Sequence, residues 1–135
     1  MKKSRRFIIM LMISLSLFGL GACNGEGRST DNLGYEQINA QKAKEIMDST
    51  TEYILIDART SEEFAEGHIK GALLIPEYEI SGRALQELPD KDALILVYCR
   101  SGRRSKIASQ ELVKLGYTNV KEFGGIIDWP YETVK

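Results

Sequence analysis

The segment "LVYCRSGRRSKIAS" (residues 96–109) holds the residue types most able to do covalent chemistry. An apolar run ends in Cys99, and cationic side chains follow closely with no carboxylate among them, at Arg100, Arg103, Arg104 and Lys106. The thiolate, not the thiol, is the nucleophilic form of cysteine, and nearby positive charge favours the thiolate. The spacing therefore predicts a reactive cysteine that attracts an anionic substrate, with Lys106 on the solvated face of the following helix.

The elements around this segment place it at a strand–loop–helix corner. Apolar runs predict strands at 35–38, 53–57, 72–76, 93–99 and 120–123, and helical spacing predicts helices around 43–47, 60–64, 80–88 and 103–115. Thr60 and Glu63 fit a capping box at the start of the second helix. Strands that alternate with helices predict an α/β fold with a central parallel sheet of about five strands and helices on both faces. Cys99 ends one of these strands, where ligands of such sheets bind.

The residues from Arg100 to Ser105 form a short loop that contains Gly102. Backbone amides of such a loop can point inward and bind an anion, and the following helix adds the positive end of its dipole. We therefore expect the loop to surround the Cys99 sulfur, keep it negative and leave it exposed. Cysteines in such settings have pKa values of roughly 3.5 to 7.5, against about 8.5 for a free one. The alternative is a buried, inert thiol at a strand end.

The loop "CRSGRRS" resembles the active-site loop of the rhodanese family of sulfurtransferases, whose pattern is C-R-x-G-x-R-[ST]. Residues 55–72 and 115–129 resemble the first and last characteristic segments of that family, in the same order. The resemblance implies a rhodanese-like domain over residues 35–135. It also implies a sulfurtransferase without a cofactor. Such an enzyme moves a sulfane sulfur from a small anionic donor, such as thiosulfate, to a thiol, a protein or another nucleophilic acceptor.

The resemblance also assigns the site. Cys99 becomes the catalytic residue that carries the sulfur as a persulfide, and the loop amides hold the terminal sulfur anion. Arg104 closes the loop, while Arg100 and Arg103 attract the donor. The full substrate-binding loop comprises Arg100, Ser101, Gly102, Arg103, Arg104 and Ser105.

Three other functions of the same fold are the alternatives. Phosphatases that share the fold place one residue more between the cysteine and the arginine, which makes room for a phosphate, so the loop length favours sulfur transfer. A persulfide carrier that does not turn over thiosulfate has the same residues as an enzyme. A pure interaction module is disfavoured by the intact cysteine and loop.

The other polar residues are interpreted as structural. His68 is the only histidine, and its place in a turn favours a structural role over a Cys–His dyad. One histidine and one free cysteine do not make a closed zinc site, so we expect no metal. Asp57 and Arg59 are expected to form a scaffold ion pair. Gly124 and Gly125 are expected to allow close backbone approach.

The first 22 residues have the layout of a secretory signal, with a basic start, an apolar run over residues 7–20 and small residues before Cys23. The sequence from Leu20 to Cys23 resembles the lipobox of bacterial lipoproteins. This implies cleavage before Cys23, a lipid on its sulfur, and export to a membrane of the bacterial cell envelope. An ordinary signal peptide or an uncleaved anchor is the alternative. The polar, glycine-rich stretch 23–34 reads as a flexible tether.

Removal of this signal changes the charge. The signal contains four of the 18 basic residues and none of the 19 acidic ones. The mature chain therefore has 14 basic and 19 acidic residues, a net charge of −5. That balance argues against nucleic acid as a partner. If Cys23 is lipidated, Cys99 is the only thiol left, and no internal disulfide can form. We also expect the protein to be a monomer.

Overall fold

The computed structural model describes residues 33–135, so the predicted signal segment, Cys23 and the tether up to residue 32 lie outside the described residues. Within these described residues, five strands and four α-helices alternate. The strands are β1 (Glu36–Gln37), β2 (Ile54–Asp57), β3 (Leu73–Leu74), β4 (Ile95–Cys99) and β5 (Val120–Gly125). The helices are α1 (Ala40–Ser49), α2 (Ser61–Glu66), α3 (Ile80–Glu87) and α4 (Arg103–Lys114), with single 3₁₀ turns at Glu77–Glu79 and Ile126–Asp128.

The strands form one sheet in the order β1-β5-β4-β2-β3, and every neighbouring pair is parallel. The expected parallel α/β sheet is therefore confirmed. β1 and β3 are shorter than the apolar runs suggested, and β5 is longer because it continues through Gly124 to Gly125. None of the helices within residues 33–135 is long and apolar enough to cross a membrane.

The central strand β4 is buried along its whole length and divides the core into two layers. Ile95, Val97 and Cys99 pack on the side of α3 and α4, whereas Leu96 and Tyr98 pack on the side of α1. Side chains of a strand alternate between the two faces of a sheet, so an unbroken apolar run serves both layers. The burial of β4 fixes the position of its last residue, Cys99.

A buried polar cluster joins β2 to β4 beside this core. Arg59 pairs with Asp57 through Nη2 and Oδ2 at 2.7 Å, and both side chains are almost fully buried. The Tyr98 hydroxyl donates to Asp57 Oδ2 at 2.6 Å and accepts from the Ile69 amide at 3.1 Å. Burial raises the pKa of Tyr98 well above its usual value, and the nearby Asp57 carboxylate raises it further. These contacts are those of the scaffold ion pair that the sequence predicted.

Candidate active site

Cys99 is the last residue of β4, and the chain turns over its sulfur before α4 begins at Arg103. The residue is 1% exposed and packs in the layer formed with α3 and α4. The expectation of an exposed sulfur is therefore wrong. The loop covers the side chain because Gly125 of the neighbouring strand lets the backbone of Arg100 and Ser101 lie against it.

Two groups of the loop contact the sulfur directly. The Gly102 amide donates to Cys99 Sγ at 3.0 Å, and Ser105 Oγ lies 3.4 Å from the same sulfur. Gly102 has φ +105°, in the left-handed region that favours glycine, and it is also the N-cap of α4. This conformation aims its N–H back at Cys99. An N–H donor at this distance favours the charged form of a sulfur over the neutral one.

The structure provides fewer amide contacts than the sequence suggested. Of the loop amides within the described residues, the one at Gly102 is hydrogen-bonded to Sγ. The amides of Arg103, Arg104 and Ser105 belong to the first turn of α4, where helix geometry leaves N–H groups without an intrahelical acceptor. They follow directly after Gly102 in the chain. Backbone N–H groups at a helix N-terminus bind anions, and the negatively charged outer sulfur of a persulfide on Cys99 would be such an anion.

The arginines of the loop have different environments. Arg100 and Arg103 are exposed, as expected for groups that attract an anion from solution. The Arg104 guanidinium instead forms two hydrogen bonds with Glu63 of α2, at 2.7 and 2.8 Å. Those bonds raise the pKa of Arg104, and the nearby Glu63 and Cys99 charges raise it further. Glu63 also accepts from the Thr60 amide, so one carboxylate completes the capping box and holds Arg104.

The Glu63–Arg104 pair predicts a specific loss of stability in acid. The Arg104 hydrogen bonds lower the pKa of Glu63 to about 2, so the folded state binds a proton less readily than the unfolded chain. Its contribution is then present above the ordinary carboxyl pKa and is lost as pH falls toward 2. We expect Glu63→Gln to lower the free energy of unfolding at neutral pH by about 1–3 kcal/mol, measured by urea denaturation, and the difference to shrink in acid.

The control for this prediction is Glu45→Gln. Glu45 forms an exposed pair with Lys42 on α1, and such pairs contribute little to stability. We expect this variant to stay close to wild type at every pH. A difference between Glu63→Gln and wild type that is the same at neutral pH and in acid would contradict the pairing as described.

The close approach expected at Gly124 and Gly125 is found at Gly125, where it involves the cysteine loop, whereas a Cβ on Gly124 would meet no atom within 4 Å. A Cβ on Gly125 would overlap the Arg100 carbonyl oxygen and lie 2.5 Å from its carbon and 2.6 Å from Ser101 Cα. The register between β4 and β5 shifts here, because Val97 pairs with Glu122 while Cys99 pairs with Gly125. The extra residue on β5 is a bulge, a feature often found beside active sites.

Glu122 is a site residue that the sequence analysis missed. It lies on β5, is 3% exposed, and accepts from Ser105 Oγ at 2.6 Å and from the Gly124 amide at 2.8 Å. A carboxylate therefore lies behind the loop, one hydroxyl away from Cys99. Val120 and Glu122 are two residues apart and therefore share one face of the strand, which could have indicated a buried glutamate. Lys121 and Phe123 place one charged and one apolar residue on the other face as well, so the sequence does not show which face is buried.

His68 has the contacts of a structural residue. Its ring stacks on Phe64 with a centroid distance of 3.7 Å, and Nδ1 lies 3.0 Å from the Phe64 carbonyl oxygen. Its backbone pairs with Val134, which ties the C-terminal segment to the end of α2. Across residues 33–135, no group of three or more His, Cys, Asp or Glu side chains is placed to hold a metal ion.

Comparison with known proteins points to one family. Residues 39–130 match the model of the rhodanese-like domain. Thiosulfate sulfurtransferase PspE of Escherichia coli is 39% identical over 80 residues, which cover 59% of this chain and 77% of that protein. A sulfurtransferase of Allochromatium vinosum is 38% identical over 94 residues, which cover 69% of this chain and 86% of that protein.

A solved structure described as rhodanese with anions, from E. coli, superimposes with a TM-score of 0.58 at 37% identity. The match covers 62% of this chain and 98% of that one. The strand order, the position of the cysteine loop and these matches are consistent with one another.

Proposed function

The chain belongs to the rhodanese-like domain family, and we propose that it is a sulfurtransferase that carries a sulfane sulfur on Cys99. The donor is a small sulfur anion such as thiosulfate, the substrate named for the E. coli relative. The acceptor is a small thiol or a protein thiol. No cofactor takes part in this reaction.

The reaction has two displacement steps. The Cys99 thiolate attacks the outer sulfur of thiosulfate, a sulfur–sulfur bond forms on the enzyme, and the bond within the donor breaks so that sulfite leaves with the electron pair. An acceptor thiolate then attacks the terminal sulfur of the persulfide, and Cys99 leaves as a thiolate. Attack by a thiolate on a bonded sulfur is the general route of thiol–disulfide exchange.

The observation that carries this proposal is the Gly102 amide aimed at Cys99 Sγ at 3.0 Å, at the start of a helix bordered by arginines. The amide and the helix dipole favour negative charge on sulfur in both steps. Exposed Arg100 and Arg103 attract the anionic donor. Arg104 contributes less free charge because Glu63 pairs with it; its role is to fix the start of α4 beside the sulfur.

Sulfite release distinguishes turnover from simple sulfur carriage. The protein is incubated with excess thiosulfate and a small acceptor thiol such as glutathione, and sulfite is measured over time. An enzyme releases many equivalents of sulfite per chain. A carrier that requires a specific protein partner releases one equivalent and then stops. Absence of sulfite with thiosulfate, together with no persulfide on Cys99 after incubation with other sulfane donors, would contradict both forms of the proposal.

The localisation part of the proposal concerns the N-terminal segment. Residues 1–22 act as a lipoprotein signal, Cys23 is lipidated, and the domain is tethered to a membrane of the cell envelope. Its support is the basic start, the apolar run and the lipobox-like "LGAC" of the sequence. Mass spectrometry of protein isolated from membranes tests this: we expect lipid on an N-terminal Cys23, and an intact Met1 would contradict it.

A further inference from the structure

Ser105 Oγ lies at the centre of a buried cluster behind Cys99. Its hydrogen-bond contacts are Cys99 Sγ at 3.4 Å, the Gly102 carbonyl oxygen at 3.0 Å, Glu122 Oε1 at 2.6 Å and the Gly124 carbonyl oxygen at 3.4 Å. A serine hydroxyl has one hydrogen to donate and two lone pairs that accept. The three oxygen acceptors among these neighbours therefore compete for a single hydrogen.

Glu122 is the preferred acceptor of that hydrogen. Its distance of 2.6 Å falls in the range of about 2.5–2.7 Å typical of a hydroxyl that donates to a carboxylate. The two carbonyl oxygens can only accept, so neither can use the lone pairs of Ser105. Cys99 is the neighbour that can donate, and it does so only as a thiol. With its hydrogen on Glu122, Ser105 presents a lone pair to the sulfur.

We propose that Glu122 is a positioning residue that opposes ionisation of Cys99 by engaging the hydroxyl hydrogen of Ser105. The thiol form donates its S–H to the Ser105 lone pair. On ionisation that proton leaves to water, and the new negative sulfur then faces a lone pair with a carboxylate behind it. If Ser105 turns its hydrogen to the sulfur instead, Glu122 loses its shortest hydrogen bond. Either arrangement costs free energy that a neutral residue at position 122 would not impose.

The other charges around Cys99 act in the opposite sense or are already paired. Arg100 and Arg103 are exposed at the loop, and Arg104 on α4 is held by Glu63 of α2. On β2, Asp57 is neutralised by Arg59. Glu122 on β5 is therefore the buried carboxylate, among residues 33–135, whose hydrogen bonds lead to the sulfur. Its effect opposes that of the Gly102 amide and of the helix dipole.

This opposition has a kinetic consequence for the reaction proposed above. A thiolate that forms at lower pH is also a weaker nucleophile, by a factor of about 3 for each unit of pKa. Removing the Glu122 charge should therefore create more thiolate, and each thiolate should react more slowly. The Glu122 charge therefore lowers the fraction of Cys99 that is ionised and raises the nucleophilicity of each thiolate that forms.

The test is Glu122→Gln, which removes the charge and keeps the shape. Ionisation of Cys99 is followed by the ultraviolet absorbance of the thiolate as a function of pH, after subtraction of the absorbance of the Cys99→Ser variant. Reactivity is followed by the rate of alkylation with iodoacetamide. We expect the ionisation midpoint to fall by about one pH unit. Alkylation should be about 3-fold faster below both midpoints and about 3-fold slower above them, so the two rate profiles cross.

The controls separate this role from a structural one. Glu122→Asp keeps the charge and should keep the wild-type midpoint, and Glu111→Gln removes a carboxylate from the far part of α4 and should change nothing. In a Ser105→Ala background, Glu122→Gln should shift the midpoint less, because the hydroxyl that links the two groups is gone. If the glutamine variant does not fold, the smaller and neutral Glu122→Asn replaces it.

An unchanged midpoint in a folded neutral variant would overturn the inference, and so would a midpoint that rises. Because these measurements follow ionisation and alkylation, they do not depend on sulfur transfer. Persulfide formation without a shift in the midpoint would therefore remove the role of Glu122 and leave the proposed function standing. A shift without any persulfide would do the reverse.

Discussion

Replacement of Cys99 by serine is expected to abolish sulfite release from thiosulfate, with a fall in rate of at least about 10³-fold. The serine hydroxyl can accept the same hydrogen bond from the Gly102 amide, but it does not ionise near neutral pH and it cannot form a persulfide. The measurement is initial-rate sulfite production with an acceptor thiol in excess.

The folded state of the serine variant is the control for this prediction. Cys99 lies in the layer between the sheet and α3 and α4, and exchange of sulfur for oxygen changes the side-chain volume little. We expect a urea midpoint close to that of wild type and a similar circular dichroism spectrum. Residual turnover comparable to wild type in this folded variant would mean that another group carries the sulfur.

Gly125→Ala is expected to disable the loop without touching the nucleophile. The new methyl group would overlap the backbone of Arg100 and lie 2.6 Å from Ser101 Cα, and backbone atoms cannot rotate away as a side chain can. The loop must shift, which misplaces the Gly102 amide relative to the sulfur. We expect a loss of about 10²-fold in turnover and a loss of about 1–3 kcal/mol in the free energy of unfolding.

Gly82→Ala provides the matched control for the glycine substitution. Gly82 lies on α3, and a Cβ there would meet no atom within 4 Å. Alanine is favoured over glycine inside a helix, so we expect unchanged turnover and equal or greater stability. Similar activity in Gly125→Ala and Gly82→Ala would show that the loop does not depend on the close approach of β5.

The sheet and the position of the cysteine were predictable because they depend on local patterns. The apolar run that becomes β4 is buried on both faces, and helical spacing on either side of it leaves a parallel sheet as the consistent solution. Placing Cys99 at the carboxyl end of β4 follows from that topology. The capping box of Thr60 and Glu63 was equally readable, since it involves residues three apart on one helix end.

The contacts that tune the site were not predictable because they join residues far apart in the chain. Glu63 meets Arg104 across 41 positions, and the capping-box pattern gives no sign of this second partner. Glu122 pairs with Val97 just before the bulge in β5, and it meets Ser105 across 17 positions of the chain. The burial of Cys99 also depends on a residue far along the chain, because the absence of a side chain at Gly125 allows the loop to close over the sulfur.

The intact mass of the protein after incubation with thiosulfate tests the central claim most directly. We predict a gain of one sulfur atom, located on the peptide that contains Cys99, reversed by an acceptor thiol and absent from Cys99→Ser. An unchanged mass with thiosulfate and with every other sulfane donor tried, in protein whose Cys99 remains a free thiol, would contradict the claim that this residue carries the transferred sulfur.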